Sequence, residues 1–103
     1  MNILRIDSSS NKEIIVGIYL NGKKDEIRQA ITIQRAQVVI PLIDKLLKKH
    51  KLRFIDLSAI EVSAGSGSFT GLRVGIAIAN ALSFSLGISI NGKKVGNFVS
   101  PLY

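Results

Sequence analysis

Two short groups of residues have side chains and spacing suited to binding phosphate. A carboxylate and two hydroxyl groups follow the first apolar segment, and a turn rich in glycine and serine precedes a long apolar segment. A carboxylate can orient a magnesium ion through water, and the free amides at the start of a helix attract anions. The candidate phosphate-binding residues are Asp7, Ser8, Ser9, Gly65, Ser66, Gly67 and Ser68.

The serine-rich turn also has a purely structural interpretation. It does not match the GxGxxG pattern, and it lacks the lysine of a P-loop. Ser68 or Thr70 at the N-cap of the following helix would account for the hydroxyl groups without any ligand. The residues alone therefore leave helix capping and anion binding both open.

Catalysis by this chain alone is not indicated. Two-metal nuclease chemistry needs several carboxylates that converge with Asp7, and Glu61 and Asp56 are the only nearby candidates in the sequence. His50 lies among lysines at a predicted helix end, so neither Ser8 nor Ser68 has a base that would activate it as a nucleophile. We expect no catalytic residue, no metal site and no cofactor.

The composition describes one basic domain. The chain has 103 residues, 47% apolar and 20% charged, and it contains no cysteine, which excludes disulfides and thiolate metal sites. A net charge of +7 would favour contact with nucleic acid, acidic proteins or anionic lipid. One local basic cluster lacks the interleaved aromatic residues that stack on single-stranded nucleic acid; it consists of Lys45, Lys48, Lys49, Lys51 and Arg53. Charge therefore does not decide the partner.

No segment is expected to enter a membrane. The first residues lack a signal-peptide pattern because Asp7 interrupts their apolar run. Residues 74–90 are at the short limit for crossing a bilayer, and they include the polar side chains of Asn80, Ser83 and Ser85. A buried helix fits this stretch better, and we expect a cytoplasmic protein.

Periodicity predicts five strands and two helices. Apolar runs place strands at residues 2–6, 13–20, 27–33, 57–63 and 88–90, and helical spacing places helices at residues 36–47 and 70–86. Asn21-Gly22 is typical of a tight hairpin turn, and Pro41 either starts the first helix near Ile40 or kinks it. The order β-β-β-α-β-α-β predicts an α/β fold, namely a single ribonuclease-H-like lobe over residues 1–103 with a five-stranded mixed sheet.

The second helix is apolar around nearly its whole circumference, which is typical of a helix buried on more than one side. Its small residues recur every four positions in two ridges, one of Gly71, Gly75, Ala79 and Ser83 and one of Ala77, Ala81 and Ser85. One ridge would pack closely on the sheet, and the other would let a foreign helix approach. The alternative is that the sheet and the first helix cover both ridges.

Several segments resemble one protein family. Residues 65–75, GSGSFTGLRVG, closely resemble the GPGSFTGLRxG signature of the TsaB (YeaZ-type) family. Asp7-Ser8-Ser9 is similar to the family's Asp-Thr-Ser, and residues 35–41, RAQVVIP, are similar to its His-Ser-Glu-x-Leu-Leu-Pro. Ser66 replaces the signature proline, and Arg35-Ala36 replaces the His-Ser pair. Family members continue into a second lobe, which we expect to be absent here, so a complete nucleotide cleft is not expected.

The resemblance implies an ASKHA (actin-like) lobe that is a non-catalytic scaffold or dimerisation subunit in the synthesis of N6-threonylcarbamoyladenosine (t6A) in tRNA. It implies docking of both helices on a TsaD-like catalytic subunit, a homodimer when alone, and a TsaE-like ATPase as a further partner. Contact with tRNA is expected to be indirect or weak. The expected partner-binding residues are Ile40, Ile43, Leu47, Gly71, Leu72, Arg73, Gly75, Ala79 and Ser83.

Two alternatives belong to other functional classes. The first is a degenerate nucleotide-binding lobe that uses Asp7, Ser8 and the turn at residues 65–68. The second is a basic module that contacts tRNA, whose affinity would fall steeply with added salt.

Overall fold

A five-stranded mixed sheet carries two helices on one of its faces. The computed structural model describes residues 1–31, 35–65 and 69–100. Within these, the strand order is β3-β2-β1-β4-β5. The elements are β1 (Asn2–Asp7), β2 (Glu13–Leu20), β3 (Lys23–Ala30), α1 (Arg35–Lys49), a short 3₁₀ helix (Phe54–Asp56), β4 (Ala59–Val62), α2 (Phe69–Leu86) and β5 (Ser89–Ile90). The predicted α/β class and element order are confirmed.

The first three strands form an antiparallel meander, and the last two join it in parallel. Asn21 and Gly22 connect β2 to β3 with φ angles of 51° and 82°, as a two-residue hairpin with both central residues in the left-handed region requires. The chain then passes through α1 to reach β4 beside β1, and through α2 to reach β5 beside β4. Parallel neighbours need such crossovers.

Register places the buried strand residues on a single face of the sheet. Leu4 of β1 lies opposite Ile18 of β2 and beside Ile60 of β4, and all three are fully buried. The same face receives the apolar sides of both helices, so that one core forms between sheet and helices. No described helix packs on the opposite face, which carries half-buried residues such as Arg5 and Tyr19.

The first helix begins at Arg35, so the interpretation that it starts near Ile40 is wrong. Pro41 lies inside it and has no amide hydrogen for the Gln37 carbonyl, but both residues are exposed, so solvent is available to that carbonyl. The apolar stripe at helical spacing consists of Ala36, Val39, Ile40, Ile43, Leu46 and Leu47. Val38 and Leu42 fall outside this stripe and are also buried. The buried face of α1 is therefore wider than periodicity predicts.

Two strands differ from their predicted bounds. β3 spans Lys23–Ala30 rather than residues 27–33, because it pairs with β2 directly from the hairpin turn. Ile33 lies outside the described residues. β4 begins at Ala59 rather than Leu57, because the preceding 3₁₀ turn is closed by Asp56, whose side chain accepts a hydrogen bond from the Arg53 amide at 2.8 Å.

Candidate functional site

Ser8 joins the end of β1 to the first turns of α2. Its side chain is fully buried, and its hydroxyl donates a hydrogen bond to the Gly71 carbonyl at 2.5 Å. The same hydroxyl oxygen accepts a hydrogen bond from the Gly75 amide at 3.1 Å. Both bonds serve the fold, so Ser8 is placed as a structural residue rather than as a phosphate ligand aimed into a site.

Gly75 is required by this close approach. A Cβ atom at position 75 would overlap the Ser8 hydroxyl and lie 3.1 Å from the Ser8 Cβ. Both of these atoms belong to Ser8, which is fully buried, so neither can move away without disturbing the packed core. The glycine in the middle of α2 therefore allows β1 and α2 to approach, at the ordinary cost of glycine in a helix.

Asp7 is a fixed anion at the carboxyl end of β1. Its Oδ1 atom accepts hydrogen bonds from the Ser9 amide at 3.0 Å and the Ser9 hydroxyl at 2.6 Å. Burial alone would raise the pKa of Asp7, but the hydrogen bonds from Ser9 oppose it. A hydrogen bond from the Ser63 side chain and the charge of Arg5 act in the same direction, and the pKa lies below its usual value. A charged carboxylate here would repel a phosphate group unless a cation stood between them.

The rest of the predicted phosphate loop is only partly described. Gly65 is half-buried after β4, whereas Ser66, Gly67 and Ser68 lie outside the described residues. Near this end of the sheet, a polar cavity of about 400 Å³ is lined by Arg5, Glu61, Val62, Ser63 and Asn91. Within residues 1–31, 35–65 and 69–100, no three His, Asp or Glu side chains converge as a metal site would require.

The two ridges of α2 have opposite environments. The inner ridge, which consists of Gly71, Gly75, Ala79 and Ser83, is buried against the chain's own core. Ser83 also donates a hydrogen bond to the Ile88 carbonyl at 2.5 Å. The outer ridge is exposed along its whole length, and we define it as Arg73, Ala77, Ala81 and Ser85 with the neighbouring Phe84.

Most residues of the predicted partner-binding set are buried in the core of the chain. Ile43 and Leu47 of α1, and Leu72 of α2, are buried in the core because the helical stripes point towards the sheet. The inner-ridge members of that set are buried as well. Within the predicted set, Ile40, with 43% of its surface exposed, and Arg73 are the residues that a partner could touch.

The outer ridge contains functional candidates that the predicted set missed. Ala77, Ala81 and Phe84 are exposed, and 68% of the Phe84 surface is open to solvent. The signal was present in the sequence, because Arg73, Ala77, Ala81 and Ser85 recur every four residues. Periodicity alone could not decide which of the two ridges faced outwards.

A charged cluster ties β3 to the end of α1. Asp25 Oδ2 accepts hydrogen bonds from Lys49 Nζ at 2.8 Å and from His50 Nε2 at 2.7 Å. Both hydrogen bonds lower the pKa of Asp25, and the bond from Lys49 has the larger effect. Lys48 pairs with Asp44 at 2.9 Å within the helix. Part of the predicted basic cluster is thus paired with acidic side chains of the chain itself.

Neither helix, over the parts of the chain that the structure describes, combines the length and the apolar character needed to cross a membrane.

Sequence comparisons connect these features to known proteins. Residues 31–92, more than half of the chain, match the family model described as "TsaD: tRNA N6-adenosine threonylcarbamoyltransferase". The TsaB protein of Buchnera aphidicola from Schizaphis graminum is 37% identical over 98 residues, which cover 87% of this chain and 42% of that protein. The TsaB protein of Bacillus subtilis is 32% identical over an alignment that covers all of this chain and 50% of that protein.

Solved structures agree with the sequence comparisons. YeaZ from Pseudomonas aeruginosa superimposes with a TM-score of 0.81 at 25% identity, over 90% of this chain and 43% of that one. A second structure, described as similar to the peptidase YeaZ of Pseudomonas aeruginosa, gives a TM-score of 0.81 at 26% identity. This chain spans two-fifths to one half of the length of the curated relatives named above. The chain belongs to the family that the matching model describes, and within that family it is a TsaB (YeaZ-type) protein.

Proposed function

We propose that this chain is a non-catalytic docking subunit of t6A biosynthesis and that it binds a TsaD-like catalytic subunit through the exposed faces of α1 and α2. The TsaB relatives are tRNA threonylcarbamoyladenosine biosynthesis proteins by name. The observation that carries the docking role is the outer ridge, which exposes the small residues Ala77, Ala81 and Ser85 on a helix that buries its opposite side in the core.

Small side chains on a helix surface let a second helix approach closely, with interaxial distances of about 8–10 Å. Ala77 and Ala81 provide such a surface, the exposed Phe84 adds apolar area to it, and Ile40 is an exposed apolar residue of α1. Apolar side chains grouped on a surface are typical of protein interaction sites. A helix of the partner is the element that fits this shape.

The non-catalytic role is supported by the positions of the polar residues. The Ser8 hydroxyl is engaged by Gly71 and Gly75, and Asp7 by Ser9. His50 contacts Asp25 on β3. These groups are committed to the fold, which leaves the reaction to the TsaD-like subunit.

The remaining partners follow from the same docking role. Two copies of the chain would pair through their outer ridges when the catalytic subunit is absent, since one patch can serve both sides of a twofold contact. A TsaE-like ATPase and tRNA would be reached through the catalytic subunit. The nucleotide-binding and basic-module alternatives draw less support, because Ser8 is buried and Lys48 and Lys49 are paired with carboxylates.

The test is substitution in the outer ridge. Ala81→Trp places a large side chain where a partner helix would pack, and we expect affinity for TsaD of the same organism to fall by roughly ten- to a hundredfold. Ala30→Trp makes the same change at an exposed position of β3 and serves as the matched control. Light scattering after size-exclusion chromatography measures the complexes, and circular dichroism checks the fold. Equal binding by both variants would contradict docking through the outer ridge.

A further inference from the structure

The segment after β5 returns to α2, where the side chain of Asn80 binds its backbone. The chain reverses at Asn91 and Gly92, whose φ angles are 49° and 73°. Val99 follows Asn91 by eight residues, and its carbonyl accepts a hydrogen bond from the side-chain amide of Asn80 at 2.9 Å. The Asn80 side-chain oxygen accepts a hydrogen bond from the Val99 amide, also at 2.9 Å. Asn80 thus satisfies both backbone groups of Val99, as a neighbouring strand would.

The contacts of this segment with α2 and the core lie at its far end, and at its near end Lys93 bonds back to Ile90 in the turn. Only 6% of the Val99 surface is exposed, and the side chain packs into the hydrophobic core. The ring of Phe98 meets the ring of Phe84 edge to face, with centroids 6.3 Å apart. By contrast, Val95 is 53% exposed and the residues around it are exposed too. Within residues 93–100, the contacts with α2 and the core lie at Phe98 and Val99, and the residues before them are exposed. An element attached in this way can open without unfolding the domain.

Asn80 and Phe84 lie beside the outer ridge. Asn80 follows Ala77 by three residues and Phe84 follows Ala81 by three, so each lies next to its alanine on the helix surface. Phe98 packs on Phe84, so the Phe84–Phe98 pair lies beside the surface on which we expect a partner helix to pack. The returning segment and a docked helix therefore compete for one edge of the same surface.

We propose that residues 93–100 form a strap that closes over the edge of the outer ridge and must be released before the TsaD-like partner docks. This regulation rests on the docking function proposed above. A partner that binds only the open form has an apparent Kd equal to its intrinsic Kd divided by the fraction of chains that are open. Changes that free the strap then tighten binding although they remove contacts from the isolated chain.

Two variants with the same chemistry separate the anchor from the rest of the strap. Val99→Asp places a carboxylate at the buried anchor, and Val95→Asp places it at an exposed position of the same segment. Both add one negative charge and leave α2 unaltered. Phe98→Ala is a third, milder variant, because it removes one ring contact from a side chain that is already exposed.

Two readouts follow the strap and the partner separately. The NMR signals of the Asn80 side-chain amide report whether Val99 is held, and calorimetric titration with TsaD measures affinity. We expect Val99→Asp to shift those signals and to tighten TsaD binding by about tenfold. Phe98→Ala should tighten it by about two- to threefold, and Val95→Asp should change neither readout.

Each other outcome has a distinct meaning. Unchanged affinity in a Val99→Asp chain whose Asn80 signals have shifted would overturn the strap while leaving the docking function intact. Weaker binding would overturn it too, because the strap would then belong to the interface. No TsaD binding by the wild type or by any variant would overturn the docking function and the strap together. If Val99→Asp fails to fold, Phe98→Ala decides, and its unchanged affinity would count against the strap.

Discussion

The two ridges of α2 have the same four-residue spacing and nearly the same small side chains, yet one is buried and the other open. The inner ridge accepts the side chain of Ser8 from β1, whose hydroxyl bonds to the backbone of Gly71 and Gly75. Along the outer ridge, Ala77 and Ala81 face solvent. Spacing of small residues thus indicates that two surfaces come close, but it does not say whether the second surface belongs to the same chain.

The difference between the ridges comes from contacts distant in sequence. Ser8 and Gly71 are separated by 63 positions. A pattern within α2 carries no information about such a partner, because helical periodicity reports only which residues share a face. The ridges should therefore respond oppositely to enlargement, since inner-ridge changes act on folding and outer-ridge changes act on binding.

The largest effect is expected at Gly75. Gly75→Leu would force a side chain into the space of the buried Ser8, and we expect the free energy of unfolding to fall by about 3 kcal/mol or more. Ala77→Leu enlarges the outer ridge two residues away and should stay within about 0.5 kcal/mol of wild type. Urea unfolding followed by circular dichroism measures both. Comparable losses at the two positions would break the distinction between the ridges.

A smaller effect separates two serines of the same helix. Ser83→Ala removes the buried hydroxyl bonded to the Ile88 carbonyl, and we expect a loss of about 1–2 kcal/mol in the free energy of unfolding. Ser85→Ala makes the identical change on the exposed ridge, where a change below about 0.5 kcal/mol is expected. Thermal melts of the two variants side by side give the comparison. A Ser85→Ala variant as destabilised as Ser83→Ala would contradict it.

The smallest effect is expected from the carboxylate beside Ser8. Because the folded-state pKa of Asp7 lies below its usual 3.8, its stabilising contribution is fully present above that pH. The contribution is lost as the pH falls through the folded pKa. The difference in unfolding free energy between wild type and Asp7→Asn should therefore be constant near neutral pH. It should shrink as the pH falls into the acid range. Chemical unfolding at a series of pH values measures it, and a difference that widens in acid would refute the assignment.

Much of the fold could be predicted because its signals are local. Asn21-Gly22 occurs at the hairpin, and the alternation of Leu4 with Ile6 marks the buried face of β1. The bounds of β3 are harder to predict, because its sequence KKDEIRQA has little apolar alternation and its position depends on pairing with β2. Pro41 was misleading for a related reason. Its position on the exposed side of α1 lets the helix continue, and that side is set by tertiary packing.

The candidate site was less predictable than the fold. Helical spacing located the start of α2 to within one residue, yet the roles of Ser8 and Gly75 depend on one contact between distant segments. The strap depends likewise on Asn80 meeting Val99, and neither residue stands out in the sequence. Polar side chains of ordinary type acquire a role only through the backbone groups that the fold brings to them.

The hydroxyl bridge between β1 and α2 also constrains the order of folding. The meander of β1, β2 and β3 closes through short connections, so its pairing requires little loop-closure entropy. The bridge joins residues 63 and 67 positions apart, and it can form only after the intervening chain has been placed. We therefore expect α2 to dock late, with its apolar surface unprotected until then. For a newly made chain, the time before that last step is the interval of greatest risk of aggregation.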